Sequence, residues 1–290
     1  MSDKISNNDA PIIILGMHRS GTSMITHMLE SLGLFVGHEQ EENSEAIFFL
    51  KLNNWLLKQT GGAWDNPQPF HYLLAFPRLR ELSRDYLALS LSTPRIISYL
   101  GWRHYIRSRK PERLPVPWGW KDPRNTYTLP IWLDLFPNAK IIHIYRHGVD
   151  VSQSLVKRQK QRLAAGEARY ERRRFLYHVV HKRGGFTHSA RCYSLEHAFS
   201  LWEDYVHEAQ QHVATLGDRA LEVKYEDFLD DAPTHLAKLA RFCQLEVSEE
   251  YVHEVAQNVQ PSRSQAYAND PELRAFAGSV RERLKRYGYD

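Results

Sequence analysis

Cysteine is scarce in this chain of 290 residues. Cys192 and Cys243 are the only two, too few and too far apart for a disulfide framework. That scarcity points to a reducing compartment. Long apolar runs are missing as well. The opening MSDKISNNDA is polar, and the apolar run after it is too short for a signal peptide or a membrane span. The reading is an unprocessed, cytoplasmic protein. No internal repeat and no low-complexity linker divides the chain, so a single domain is expected over 1–290, with 1–10 as a disordered tail. Charge of one sign is not in large excess. A net +4 suits an anionic ligand without calling for nucleic acid. The two histidines of HVVH (178–181) lack the Glu and helix context of a zinc-protease motif, and no metal site is expected.

What is present is an alternation of short apolar runs with amphipathic ones. PIIILG (11–16) and AKIIHIYR (139–146) read as buried strands, WGWKDPRN (118–125) as a short strand that Pro123 stops in a turn, and ALEVKY (220–225) as a further strand. Helices are expected over 20–33, 46–58, 129–136, 149–159, 194–217, 233–243 and 248–258, with Gly33 as a natural stop for the first. Residues 60–115 are rich in Pro, Arg and aromatics, and only short helices can be placed there. The fold class is therefore α/β, a P-loop-like doubly wound parallel sheet flanked by helices. Ligands in such sheets sit beyond the carboxyl ends of the strands. Arg19, Lys121, Arg146 and Tyr225 all lie at expected strand ends. Trp55, Trp118, Trp120 and Trp202 read as core.

The first strand runs into GMHRSGTS (16–23), a phosphate loop that lacks its lysine. Gly16 and Gly21 have the spacing of G-x-x-x-x-G-K-[ST], but Thr22 stands in the Lys position and the cation is Arg19. Glycines let successive N–H groups converge on one anion, and the helix N-terminus adds partial positive charge. Ser20, Thr22 and Ser23 add hydroxyl donors. Without the lysine, an ordinary ATPase or kinase is disfavoured. A kinase with a degenerate loop stays open at this point, although no strand-end Asp pair offers itself to Mg²⁺. So does a nucleic-acid-binding module using the basic stretch 157–183, which lacks the aromatic interleaving of single-strand binders.

The loop resembles that of sulfotransferases using 3′-phosphoadenosine-5′-phosphosulfate (PAPS). In that family a second motif, a strand ending in Arg with a Ser eight residues on, holds the 3′-phosphate. IIHIYRHGVDVSQSLVKR supplies Arg146 and Ser154 at that spacing. The nearest likeness is to tyrosylprotein sulfotransferases and their bacterial relatives. They share the R-S-G-T loop, the KDP turn (Lys121–Pro123) and LFPNAK (Leu135–Lys140). Arg158 matches a further cofactor-contacting Arg, and Tyr225 of KYEDF matches a Tyr beside the adenine. The likeness is good over 11–39 and 118–158, weaker over 220–258 and absent over 60–115.

The resemblance implies PAPS as donor, 3′-phosphoadenosine-5′-phosphate (PAP) as product, no metal, and an acceptor hydroxyl. Arg19, Ser20, Gly21, Thr22 and Ser23 would bind the 5′-phosphosulfate. Arg19 suits the bridging and equatorial oxygens, and Lys121 the leaving phosphate oxygen. The family's tyrosyl members use a Glu after the first helix as base. Glu39 occupies that place, with His38, Glu41, Glu42, Glu45 and His18 as rivals. The stretches 60–115 and 157–195 read as acceptor-side insertions. Residues 157–183 hold ten basic and two acidic residues, either a solvated face or a surface recruiting an anionic acceptor. The acceptor is read as a glycan, glycolipid or specialised metabolite. No partner among nucleic acids and no membrane span is expected, and the oligomeric state stays open.

Overall fold

Four short strands pair side by side in the structure, a computed structural model that describes residues 10–257, 259 and 265–289. They are β1 (Ile12–Leu15), β2 (Gly119–Lys121), β3 (Lys140–Tyr145) and β4 (Ala220–Lys224). The order is β2-β1-β3-β4 and every pairing is parallel. The chain winds from β1 outward to β2, then crosses back to β3 and β4. Its direction reverses between β1 and β3, the place where such sheets open a crevice. The doubly wound α/β class is thus the one observed. The tail expected at 1–10 lies outside the described residues except for Ala10.

In chain order α1 (Thr22–Ser31), α2 (Ile47–Lys58), α3 (Phe70–Ala75), α4 (Pro77–Ser92) and α5 (Ile97–Ser108) separate β1 from β2. Then α6 (Asn125–Leu135) leads to β3, and α7 (Gly148–Arg173) and α8 (Leu195–Leu216) lead to β4. The chain closes with α9 (Tyr225–Asp230), α10 (Ala232–Phe242), α11 (Glu249–Ala256), α12 (Pro271–Ser279) and α13 (Arg281–Lys285). Two compact units result. Met1–Arg146 with Tyr205–Ser264 contains the sheet, and His147–Asp204 with Gln265–Asp290 contains α7, α12 and α13.

In the sheet unit, Ile12, Ile14, Ile142, Ile144 and Val223 pack with Leu29, Leu236 and Leu239 of the flanking helices. By strand alternation Ile13 points the other way. It lies in register with Trp120, whose ring stacks on Phe49 at 3.9 Å and meets Trp132 edge-on at 5.1 Å. Trp118, Trp120 and Trp202 are all buried. The turn after β2 is tied down by one buried amide. Asn53 on α2 donates to Asp122 Oδ2 and Asn125 Oδ1, both at 2.8 Å, and accepts from Thr128 Oγ1 and Trp132 Nε1, also at 2.8 Å. Asn125 in turn donates to the Ile14 carbonyl at the end of β1. Pro130 sits inside α6 and has no N–H, which orphans the Thr126 carbonyl. His212 Nε2 donates to it at 2.8 Å.

In the second unit, Asp150 near the start of α7 accepts from the backbone N–H groups of Ala266 and Tyr267. His147 stacks on Tyr267 at 4.2 Å, and Arg283 forks onto Glu203 and Glu196. Gly148 is required here, because a Cβ would fall 2.6 Å from the Phe199 ring.

Two expectations are corrected. The helix expected over 149–159 runs on to Arg173. Its apolar stripe stops at Val156, and Ala, Arg, Gln and Glu carry the remainder by propensity. Residues 60–115 hold more than short helices. α4 has 16 residues and buries Ser83, Leu87 and Ser90, a stripe too polar to show as periodicity. α5 has 12 residues, broken at Gly101 with φ 68°.

Asn53→Ala should cost about 3 kcal/mol or more in urea unfolding, because four buried partners lose their hydrogen bonds together. A loss below about 1 kcal/mol would mean the network does not hold the turn.

Candidate active site

Gly16 ends β1 at φ 138°, where a Cβ would lie 2.0 Å from the Ile144 carbonyl of β3. Only glycine lets the chain leave the sheet this close to its neighbour. The loop then turns through two left-handed residues, Arg19 at φ 74° and Gly21 at φ 89°. The first is a strained setting for a side-chain-bearing residue. α1 starts directly after Gly21. It has no side-chain cap and no carboxylate in its first turn. Its leading N–H groups therefore face an open, partly positive end. Ser20 is fully buried, and its hydroxyl has no hydrogen-bond partner. An anion in the loop would satisfy it. Thr22 is buried and Arg19 is exposed.

Two further strand ends reach the loop. A Cβ on Gly21 would fall 2.3 Å from the Tyr225 ring, so that ring lies flush against the second glycine. The Arg146 guanidinium, just past β3, sits over the same ring at 5.0 Å. Arg19's loop, Arg146 and Tyr225 are thus brought together at the switch point, as their positions at strand ends suggested.

Lys121 arrives from β2. It is 1% exposed, and its ammonium donates to Glu45 Oε1 at 2.9 Å and to the Asn43 carbonyl. Ser23 Oγ donates to that same carbonyl at 2.7 Å. One backbone oxygen therefore joins the first turn of α1 to the lysine. Burial pushes the Glu45 carboxyl up, against the lowering effect of Lys121. Burial likewise pushes the Lys121 ammonium down, against the raising effect of Glu45. Both shifts work toward a shared proton, and the attraction between the charges opposes them.

Glu39 does not join this group. Its side chain is exposed, and its backbone bonds to Ser98 and Ile47. His38, Glu41 and Glu42 are exposed too, and His18 packs edge-on against Trp64 at 4.9 Å. Glu45 stood only as a rival in the sequence, and its partner Lys121 is 76 positions away. The one available signal was its place beside the apolar run AIFFL, which carries it inward. In the other unit, Ser154 and Arg158 stand four residues apart on α7 and share a face. Among the described residues no three His, Cys, Asp or Glu side chains gather to hold a metal ion.

A family model described as "Sulfotransferase family" matches residues 11–249, most of the chain. No curated protein matches significantly. The similar solved structures include three sulfotransferases. The sulfotransferase domain from the curacin biosynthetic pathway is 16% identical over 93% of this chain and 97% of its own, with a TM-score of 0.49. Sulfotransferase STF9 from Mycobacterium avium is 13% identical over 98% and 78%, with a TM-score of 0.46. The sulfotransferase domain from the Synechococcus PCC 7002 olefin synthase is 19% identical over 90% and 82%, with a TM-score of 0.45.

Glu45→Leu should destabilise the protein by about 3–5 kcal/mol, because it strands the Lys121 charge in the interior. The double variant Glu45→Leu/Lys121→Met should recover most of that loss in urea unfolding. A double variant as unstable as the single one would show that the charges do not act as a pair.

Proposed function

The chain belongs to the sulfotransferase family, and from that footing we propose that it moves a sulfuryl group from PAPS to an acceptor hydroxyl. The observation that carries the reading is the anion cradle at the β1/β3 switch point, with the buried hydroxyl of Ser20 lacking a partner inside it. When bound, PAPS supplies the sulfuryl group on a phosphate leaving oxygen.

The chain's own groups then divide the work. The loop N–H groups, Ser20 and Thr22 hold the 5′-phosphosulfate, and Arg19 offers it several donors in one plane. Ser23 spends its hydroxyl on the Asn43 carbonyl and contributes its backbone N–H. Lys121 is the compact cation for charge on the leaving oxygen. Arg146 takes the 3′-phosphate, together with Ser154 and Arg158, on the spacing of these residues in the sequence. Tyr225 flanks the nucleotide with its ring. For the base we propose Glu45 in place of Glu39. A buried carboxylate with raised proton affinity takes a hydroxyl proton more readily than an exposed one. Lys121 beside it holds that carboxylate in position.

The acceptor is proposed as a glycan, glycolipid or specialised metabolite bearing a hydroxyl, with 60–115 and 157–195 on the acceptor side. Both cysteines are buried thiols and no disulfide joins them. That supports a reducing, cytoplasmic setting.

PAP should raise the thermal midpoint without any divalent metal, and adenosine 5′-monophosphate should raise it far less. The difference between them is the 3′-phosphate that Arg146, Ser154 and Arg158 are proposed to hold. Equal shifts from the two nucleotides, or a shift seen only with ATP and Mg²⁺, would overturn the assignment.

A further inference from the structure

The second unit carries a feature that none of the proposed cofactor contacts uses. Beyond Arg162, α7 and the loop that returns over it enclose a cavity of about 640 Å³. Five cations line it, Arg162, Arg169, Arg173, Lys182 and Arg183, and no carboxylate does. Tyr170, Tyr177 and Phe186, with the imidazoles of His181 and His188, complete the wall. Tyr170 stacks on Tyr177 at 5.7 Å and meets Phe186 edge-on at 5.4 Å. The loop seats because residue 166 is glycine: a Cβ there would lie 2.3 Å from the Phe186 carbonyl oxygen. The volume suits one polar headgroup or a small ligand.

Exposed apolar side chains line this cavity or neighbour its lining residues in sequence. Phe175 is 69% exposed and Val179 is 89% exposed, with Leu176, Val180 and Phe186 also well exposed. Five of the twelve large exposed apolar side chains among the described residues therefore fall within 175–186. Scatter would be unremarkable, but clustering marks a contact surface. Over 157–183, ten basic residues stand against Glu167 and Glu171. A soluble anion would explain the cations and leave the apolar tips in water. An apolar protein partner would explain the tips and leave the cations unmatched. A surface with anionic headgroups above a hydrocarbon boundary satisfies both at once.

We propose that the segment 162–186 docks on an anionic bilayer surface. A lipid phosphate enters the basic cavity, and Phe175 and Val179 reach the acyl boundary. No helix among the described residues is long and apolar enough to cross a membrane, and the segment is one that lies on the interface. This inference goes beyond sulfuryl transfer, and its readout involves no turnover.

The test is co-sedimentation of the full chain with vesicles of phosphatidylcholine, alone or mixed with phosphatidylglycerol. The wild type should sediment with the mixed vesicles and not with phosphatidylcholine alone, and salt should weaken the binding because exposed charges are screened. Arg169→Gln/Arg173→Gln/Arg183→Gln should lower affinity on the order of a hundredfold. Phe175→Ser/Val179→Ser should lose binding at unchanged charge. Both sets are largely surface positions and should unfold like the wild type. Ile106→Ser removes an equally exposed apolar side chain of the other unit and should bind normally. Three results would overturn the proposal. One is no binding to mixed vesicles. Another is equal loss in Ile106→Ser. The third is undiminished binding by the Phe175/Val179 variant, which would make the cavity a site for a soluble or nucleic-acid anion.

Discussion

A lysine ammonium with almost no exposure cannot stay charged without a partner, and the active end of the sheet unit is arranged around that requirement. Lys121 comes from β2, Glu45 from the turn before α2, and the Asn43 carbonyl completes the set. The same carbonyl takes the Ser23 hydroxyl at the start of α1. The phosphate-type loop, the second strand and the segment 39–46 are thus fastened to one another through a single cation and a single oxygen. The Ser23 hydroxyl reaches that oxygen independently of the lysine, so the loop keeps its own tie to the segment. Asn53 secures the arrangement from beneath, because it fixes the turn that begins one residue after Lys121.

Much of the fold was legible because its signals are local. β1 and β3 are apolar runs closed by Gly16 and Arg146, and they lie within a residue of their expected ends, while β2 keeps only Gly119–Lys121 before its proline turn. The crevice follows from strand order, and the placement of Arg19, Arg146 and Tyr225 follows from the crevice. What was not legible depends on turns and small side chains. Several carboxylates lie between Glu39 and Glu45, and composition cannot say which one faces inward. Gly37 at φ 115° and Ser44 at φ 63° decide it by turning the chain, so that Glu45 is carried in with Ala46 while Glu39 stays outside. Asn53 hides in an apolar helix, where it reads as an interruption. α4 is not legible because two of the three residues it buries are serines.

In the proposed reading, the loop binds its anion without the lysine that usually follows its second glycine. That position is Thr22, which is buried as the first residue of α1. Cationic charge is supplied instead from three separate places in the chain: Arg19 within the turn, Lys121 at the end of β2 and Arg146 past β3. Distributing it this way suits a transferred group of low charge, which needs alignment and a polarised leaving oxygen more than a bound metal.

The central claim is that Lys121 acts on the charge developing at the leaving oxygen. Its most direct test is Lys121→Met, with single-turnover sulfuryl transfer from PAPS measured beside PAP affinity. The account predicts transfer slower by about a hundredfold with PAP affinity nearly unchanged. Transfer at the wild-type rate, or a loss confined to PAP affinity, would contradict it.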